Sequence, residues 1–472
     1  MERFGAQGIT FVVSLILARL LDPNVYGVLA IVSVFTIFME VFLDAGLGNA
    51  LIQKQNADDL DFSTIFYFNI GFSLVLYLIL FVGSPLVANF YRMPELKDLI
   101  RGLGLVVLIG GVKNIQVAYV SRNMMFKKFF FSTLGGTIVA AVVGITMAYY
   151  GLGAWALVAQ IVCNNLVDTI ILWITVPWRP KWMYSWKRFR GLFSYGWKLL
   201  ISHLMSTLYI NIWQLIIGKM YTKDSVAFYN QGEKLPSFLV NNIIMAIESV
   251  MLPVLSTEQT RIARVRELTR RTIQIGSYVM WPVMLGFSAC AEPLVRLVLT
   301  EKWLPCVPYL RVFCISFAFY PIQTANLNAI KALGYSGTLL RLETLKKAVG
   351  FTIILATMWY GPYAMAVSGL VSNLISQVIN SWPNRKLLNY STLQQVKDIL
   401  PSAALAGVMY LAVYSLSGLP LTDIQCLLVQ IPLGVAIYAV GSYVFRIEAF
   451  GYMFGMLTDF VKDARQGKKE DA

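Results

Sequence analysis

The sequence predicts an all-α integral membrane protein of about fourteen transmembrane helices, built as two parallel six-helix bundles plus two extra C-terminal helices. Three observations carry this. Of 472 residues, 57% are hydrophobic and only 14% charged, whereas a soluble domain needs roughly 25% charged residues to cover its surface. About fourteen stretches approach the ~20 apolar residues that cross a bilayer, and they consume most of the chain. The lysines and arginines also alternate in density from one connection to the next, as the positive-inside rule requires.

The expected spans are 5–21, 28–52, 64–84, 99–120, 130–150 and 154–176, then 197–217, 237–255, 274–299, 307–329, 345–360 and 363–381, and finally 399–417 and 424–445. The first has no small-residue cleavage site behind it and is read as retained, not as a signal peptide. Its shortness points to a natural chain that starts earlier. The second carries Glu40 and Asp44 on one helical face, the fourth Lys113, Asn114 and Gln116, and the sixth Asn164, Asn165 and Asp168. Residues 178–196 form a cytoplasmic linker in which Trp186, Phe189, Phe193 and Trp197 recur at helical spacing beside Lys187, Arg188 and Arg190. That pattern suits a basic helix lying on a membrane surface, or a simple anchor between the two halves.

The seventh span holds a polar stripe of His203, Thr207, Asn211 and Gln214. The eighth is the weakest, diluted by Asn241, Asn242 and Glu248, and parity argues for keeping it: without it Arg261, Arg264, Arg266, Arg270 and Arg271 would face outward. The twelfth carries Asn373, Ser376, Gln377 and Asn380. Residues 447–472 are read as a cytoplasmic tail that frays into solvent. With each of the 39 Lys and Arg assigned to its nearest connection, 28 fall on one side and 10 on the other, with Lys113 mid-span. The rich side is cytoplasmic and holds both termini.

The bundle boundaries, 1–177 and 197–390 with 391–446 as the added pair, follow an internal repeat. Pro85-Leu86-Val87 answers Pro293-Leu294-Val295 at an offset of 208, and Tyr150-Gly151 answers Tyr360-Gly361 at 210. Lys113, Asn114 and Gln116 answer Gln323, Thr324 and Asn326, again at 210. Ile16-Leu17-Ala18-Arg19 answers Ile216-Ile217-Gly218-Lys219. Six spans precede each recurrence, so the halves share one topology, as in transporters built from parallel repeats.

Charged groups at membrane depth are costly and usually face a cavity or a partner. Lys113 either pairs with Asp168, Asp44 or Glu40 or contacts an anionic ligand. His203, the sole histidine, makes an interhelical hydrogen bond or relays a proton. The amide stripes glue helices together or line a polar path, and Arg19, Lys219, Arg296 and Arg311 snorkel or bind anions. The candidate substrate path is Arg19, Lys113, Asn114, Asn164, Asn211, Gln214, Lys219, Gln323, Asn326, Asn373 and Gln377. The candidate ion-coupling residues are Glu40, Asp44, Asp168, His203 and Glu248. No catalytic, cofactor or metal residues are expected: there is no GxxxxGK[ST] loop and no HExxH, and the five cysteines lie scattered in apolar runs without a CxxC. The net charge of +14 faces lipid headgroups, not nucleic acid.

Several runs resemble a known family. Leu17-Ala18-Arg19-Leu20-Leu21-Asp22-Pro23 with Tyr26-Gly27, Leu43-Asp44-Ala45-Gly46-Leu47-Gly48 and Ala50-Leu51-Ile52-Gln53 is similar to the opening of bacterial polysaccharide repeat-unit flippases. Ile217-Gly218-Lys219, Tyr229-Asn230, Leu235-Pro236, Leu252-Pro253-Val254-Leu255-Ser256, Glu301-Lys302-Trp303-Leu304-Pro305 and Ala332-Leu333-Gly334 fit the same family, so the likeness covers about residues 5–390. These Wzx-type capsule and lipopolysaccharide flippases are the polysaccharide-transport branch of the multidrug/oligosaccharidyl-lipid/polysaccharide exporter superfamily. The resemblance implies a V-shaped transporter of the bacterial cytoplasmic membrane that flips an undecaprenyl-diphosphate-linked oligosaccharide. It also implies glycan polymerases and glycosyltransferases as neighbours. The competing readings are an ion-coupled multidrug or cation antiporter of the same superfamily, a membrane glycosyltransferase or polymerase, and a structural scaffold. Outer connections of at most roughly 20 residues leave little room for catalytic loops.

Overall fold

The computed structural model describes residues 2–44, 46–453 and 455, and among them there is helix but no strand. The helices are α1 (Glu2–Leu20), α2 (Pro23–Asp44), α3 (Leu47–Gln53), α4 (Asp59–Tyr91), α5 (Leu96–Arg122), α6 (Phe126–Tyr149), α7 (Ala154–Thr175), α8 (Trp186–Met220), α9 (Lys223–Thr257), α10 (Ile262–Ala289), α11 (Ala291–Val298), α12 (Val307–Ala318), α13 (Tyr320–Ala332), α14 (Ser336–Thr357), α15 (Pro362–Leu387), α16 (Thr392–Ser415) and α17 (Asp423–Val444).

Among the described residues, eleven helical segments are long and apolar enough to cross a membrane, and the bent pair α10–α11, with a 68° break, makes a twelfth. The fourteen expected spans fall on these helices, three of them (28–52, 274–299 and 307–329) over two helices each. Two of them are not among the qualifying segments: α1, in which Gly8–Leu20 forms a shorter apolar helix, and α14, which carries Arg341, Glu343, Lys346 and Lys347. The doubtful eighth span lies inside α9, which qualifies. Apolar side chains such as Val82, Leu86, Ile210, Leu340 and Leu428 point outward, while Asn69, Ser73, Asp168, Asn326 and Asn380 are buried. That inverts the pattern of a soluble protein and fits helices whose solvent is lipid.

The chain forms two compact units, Met1–Asn230 and Gln231–Ala472. In the first, α4 packs on α5, α6 on α7, and α8 on α2, α3 and α4. In the second, α10 packs against α12, α13 and α16, and α14 pairs with α15. The turn between α6 and α7 uses Gly151 at φ +76°, and the turn between α14 and α15 uses Gly361 at φ +106°. These left-handed positions sit at matching points of the sequence repeat, where a residue with a Cβ would be strained.

Of the aromatic stripe read as a surface helix or an anchor between the halves, Phe189 and Phe193 pack into the first unit's core, while Trp186 and Trp197 are exposed. Helix α8 runs unbroken from Trp186, with Phe189 and Leu192 buried and the Phe189 ring 4.3 Å from Phe68. The cause is the segment before it. Trp178 is buried among Phe62, Phe66 and Tyr119, donates to Asp59 Oδ1 at 3.1 Å and accepts at its carbonyl from Gln116 Nε2 at 3.3 Å. The backbone N–H groups of Lys181 and Ser185 then reach Ser63 and Thr64, so residues 178–185 strap the start of α8 onto α4. Asp58 caps α4, and the hydrogen bond from the Asp61 backbone N–H, aided by Arg188 and Lys54, holds its carboxyl below the usual range. Part of the expected tail is ordered too: 448–453 is helical, Ala449 is buried, and Arg271 donates to the Tyr452 hydroxyl at 3.0 Å. The tail from 456 onward lies outside the described residues.

Candidate functional site

In the first unit an ion pair at membrane depth joins α5 to α7. Lys113 Nζ lies 2.6 Å from Asp168 Oδ2 and 3.3 Å from Asn165 Oδ1, so of its three potential partners Asp168 takes the direct contact. Asn165 and Asp168 reach it together because a three-residue step keeps them on one face of α7. Asp168 is nearly buried and its Oδ1 has no hydrogen-bond partner, which leaves one acceptor open beside the ammonium group. Glu40 on α2 stands within electrostatic range of Lys113, and Asp44, one turn on, within range of the exposed His203. The arrangement is a cation held by one carboxylate and one amide oxygen.

Close helix approach sets that register. A Cβ on Gly136 of α6 would lie 2.8 Å from the Asn164 carbonyl oxygen and 3.3 Å from Asp168 Cβ. The first of these is backbone and cannot step aside. Gly136→Ala is therefore expected to force α6 and α7 apart at a cost of about 1–3 kcal/mol. A melting curve of the purified protein checks this, and an unchanged curve would contradict the close packing.

The remaining candidates of this unit are less centralised. Asn164 Nδ2 sits 3.5 Å from Thr137 Oγ1, and Asn211 donates back to Thr207 O of its own helix at 2.8 Å. Gln214 donates to the Ala30 carbonyl. Lys219 donates to the Phe90 carbonyl, with its Nζ 3.9 Å above the Phe90 ring. Asn114 is half-buried on α5, and Arg19 is exposed in the last turn of α1.

In the second unit the polar stripe of α15 meets α12, α13 and α16. Asn373 donates to Ser316 at 2.6 Å, and Gln377 donates to the Phe319 carbonyl at 3.1 Å and to Gln323 Oε1 at 3.4 Å. Asn326 is the hub of a fully buried amide knot. Its Nδ2 donates to Ile322 O and Gln395 Oε1, both at 2.8 Å, and its Oδ1 accepts from Asn384 at 2.6 Å and Gln395 at 3.0 Å. Two donors and two acceptors exhaust an asparagine amide, so Asn326 has no capacity left for a ligand. Asn380, Gln377 and Asn384 by contrast keep buried amide atoms without partners. Glu248 is exposed on α9. Among the described residues no group of three or more His, Cys, Asp and Glu side chains is placed to hold a metal ion.

Asn384 and Gln395 went unread in the sequence because both lie beyond the apolar windows, one past 381 and the other before 399. The signal was present: 373, 377, 380 and 384 continue one helical face.

A family model described as polysaccharide biosynthesis protein matches residues 16–308. The teichuronic acid biosynthesis protein TuaB of Bacillus subtilis (strain 168) is 26% identical, over 63% of this chain and 62% of its own length. The lipopolysaccharide biosynthesis protein WzxC of Escherichia coli (strain K12) is 22% identical, over 84% of this chain and 79% of its own. Among solved structures, the lipid II flippase MurJ in an inward closed conformation superposes with a TM-score of 0.78 at 13% identity, covering 94% of this chain and 97% of that one. A multidrug resistance transporter of the MATE family gives 0.64 at 12%, covering 81% and 94%. The fold is thus the all-α one of these multi-pass membrane transporters, and the chain belongs to the polysaccharide biosynthesis protein family.

Proposed function

We propose that the protein is a flippase, not an enzyme: it carries an oligosaccharide linked to undecaprenyl diphosphate from the cytoplasmic to the outer leaflet by alternating access, for surface polysaccharide synthesis. The observation that carries this is the Lys113–Asp168–Asn165 cluster, a half-buried cation within the helices, inside a member of a polysaccharide biosynthesis family. A diphosphate linker would compete with Asp168 for Lys113, because both present charged oxygens to the same ammonium. Arg19 and Lys219 would supply further cations. Asn114, Asn164, Asn211, Gln214, Gln323, Asn373 and Gln377 would meet sugar hydroxyls, and Asn326 would brace the helices that carry some of them. Glu40, Asp44, Asp168, His203 and Glu248 are the candidates for a coupling proton or cation.

The same reading takes 1–177 and 197–390 as the two halves and places the chain in the bacterial cytoplasmic membrane. Both termini face the cytoplasm, on the strength of the 28-to-10 division of basic residues. Glycan polymerases and glycosyltransferases would work beside it. Everted vesicles from cells with and without the protein test the function through the lipid-linked glycan that a cleaving reagent reaches on each face. Transfer that depends on the protein supports the flippase. Equal transfer without it, with a cationic dye extruded only in its presence, would replace this reading by the multidrug antiporter.

A further inference from the structure

At the end of the second unit where α10 and α16 begin, a cavity of about 420 Å³ is lined by Arg266 and Arg270 of α10, Tyr390 of the preceding link, and Gln394 and Lys397 of α16. This falls within the roughly 300–1,000 Å³ typical of small-molecule sites. A second cavity of about 180 Å³ adjoins it, sharing Lys397 and Asp398 and adding Arg446. The acids here are already engaged. Asp398 accepts two hydrogen bonds from Arg270, at 2.8 and 3.0 Å, and one from the Tyr390 hydroxyl at 2.7 Å. Glu267 is bound by Arg264 at 2.8 Å and Arg271 at 2.5 Å, and Glu448, which lines the smaller cavity, accepts from Gln274 at 3.1 Å and lies 3.8 Å from Arg270. Burial and the bond to Asp398 push the Tyr390 hydroxyl far above its ordinary range, so it stays a donor.

Three cations remain. Among the described residues Arg266, Lys397 and Arg446 have neither an ion-pair partner nor a side-chain hydrogen bond. The Gln394 amide oxygen is spent on the Ser391 N–H in the α16 cap, which leaves its NH2 to donate. The first turn of α16 adds the positive end of a helix dipole. Unpaired cations around a concavity whose own acids are neutralised constitute an anion site, and a guanidinium with an ammonium suits a phosphate group. On the orientation proposed above, this end lies at the cytoplasmic headgroup level.

We propose that this cavity is a second, peripheral binding site of the second unit for a phosphate-bearing anion, held by Arg266 and Lys397 with Arg446 at its rim. It lies entirely within residues 263–449 and does not depend on the transport reading.

Full-length protein is tested by native mass spectrometry for retained phosphatidylglycerol, and by its melting temperature in rising sodium pyrophosphate. Arg266→Gln/Lys397→Gln is compared with Lys127→Gln/Arg190→Gln, which removes the same charge from exposed positions outside the cavity. Lys397→Glu, at an exposed site, serves should the first pair fail to fold. A tenfold or greater loss of phosphatidylglycerol in the cavity variants alone supports the site with a lipid headgroup as its source. Pyrophosphate stabilisation of the wild type, lost only in the cavity variants, supports a soluble phosphate. Equal binding by wild type and cavity variants overturns the site, as does equal loss in the control pair.

Discussion

Lys113→Met is expected to cost both stability and transport. The substitution leaves the Asp168 carboxylate nearly buried without the ammonium 2.6 Å away, and breaking such a pair from one side costs about 3–5 kcal/mol. A lower melting temperature of the purified protein registers that loss. Stability alone does not separate a lock from a ligand contact, but the double variant does. Lys113→Met with Asp168→Leu removes both charges, so most of the lost stability should return, because a buried pair replaced by apolar residues is often neutral. Translocation of lipid-linked glycan should nevertheless remain at the level of vesicles lacking the protein, since no cation is left at that position to meet a diphosphate. A double variant that transports at the wild-type rate would reduce Lys113 to a structural pin.

The second large effect is expected at Asn326→Leu. Leucine fills the space but offers no polar atoms, so Gln395 loses both amide partners and Asn384 its acceptor side chain, each inside the protein. An orphaned buried polar group costs about 1–3 kcal/mol, and Gln395 Oε1 and Nε2 are both orphaned at once, while Asn384 keeps its bond to the Asn326 backbone carbonyl. Thermal unfolding should show a far larger loss than Asn373→Ala, where one half-buried bond to Ser316 disappears at about 1 kcal/mol. Equal losses at the two positions would mean that the knot is not a unit.

How these residues stood in the sequence explains what was legible. Lys113 was visible because a lone cation in an apolar run is conspicuous, and its partner was narrowed to Asp168, Asp44 and Glu40. The α15 stripe showed its spacing through Asn373, Gln377 and Asn380, although Asn384 fell outside the window. Phe189 and Phe193 showed a face but not what covers it. Trp178, the residue that seats the strap, carries no periodic signal at all.

The sequence by itself determined that the chain is helical, that it crosses a membrane many times, where the helices lie, and which residues would be anomalous inside them. These are local properties: apolar run length and isolated charge are set within some twenty residues, whatever packs alongside. Only the tertiary structure decided that Asp168 holds Lys113, that Asn326 is saturated while Asn380 is not, and that Phe189 and Phe193 of the α8 stripe face protein while Trp186 and Trp197 do not. Each of those depends on which helix faces cross and how closely. At Gly136 the crossing brings a backbone carbonyl to within 2.8 Å of where a Cβ would stand, a proximity between two helices that no pattern along one of them contains.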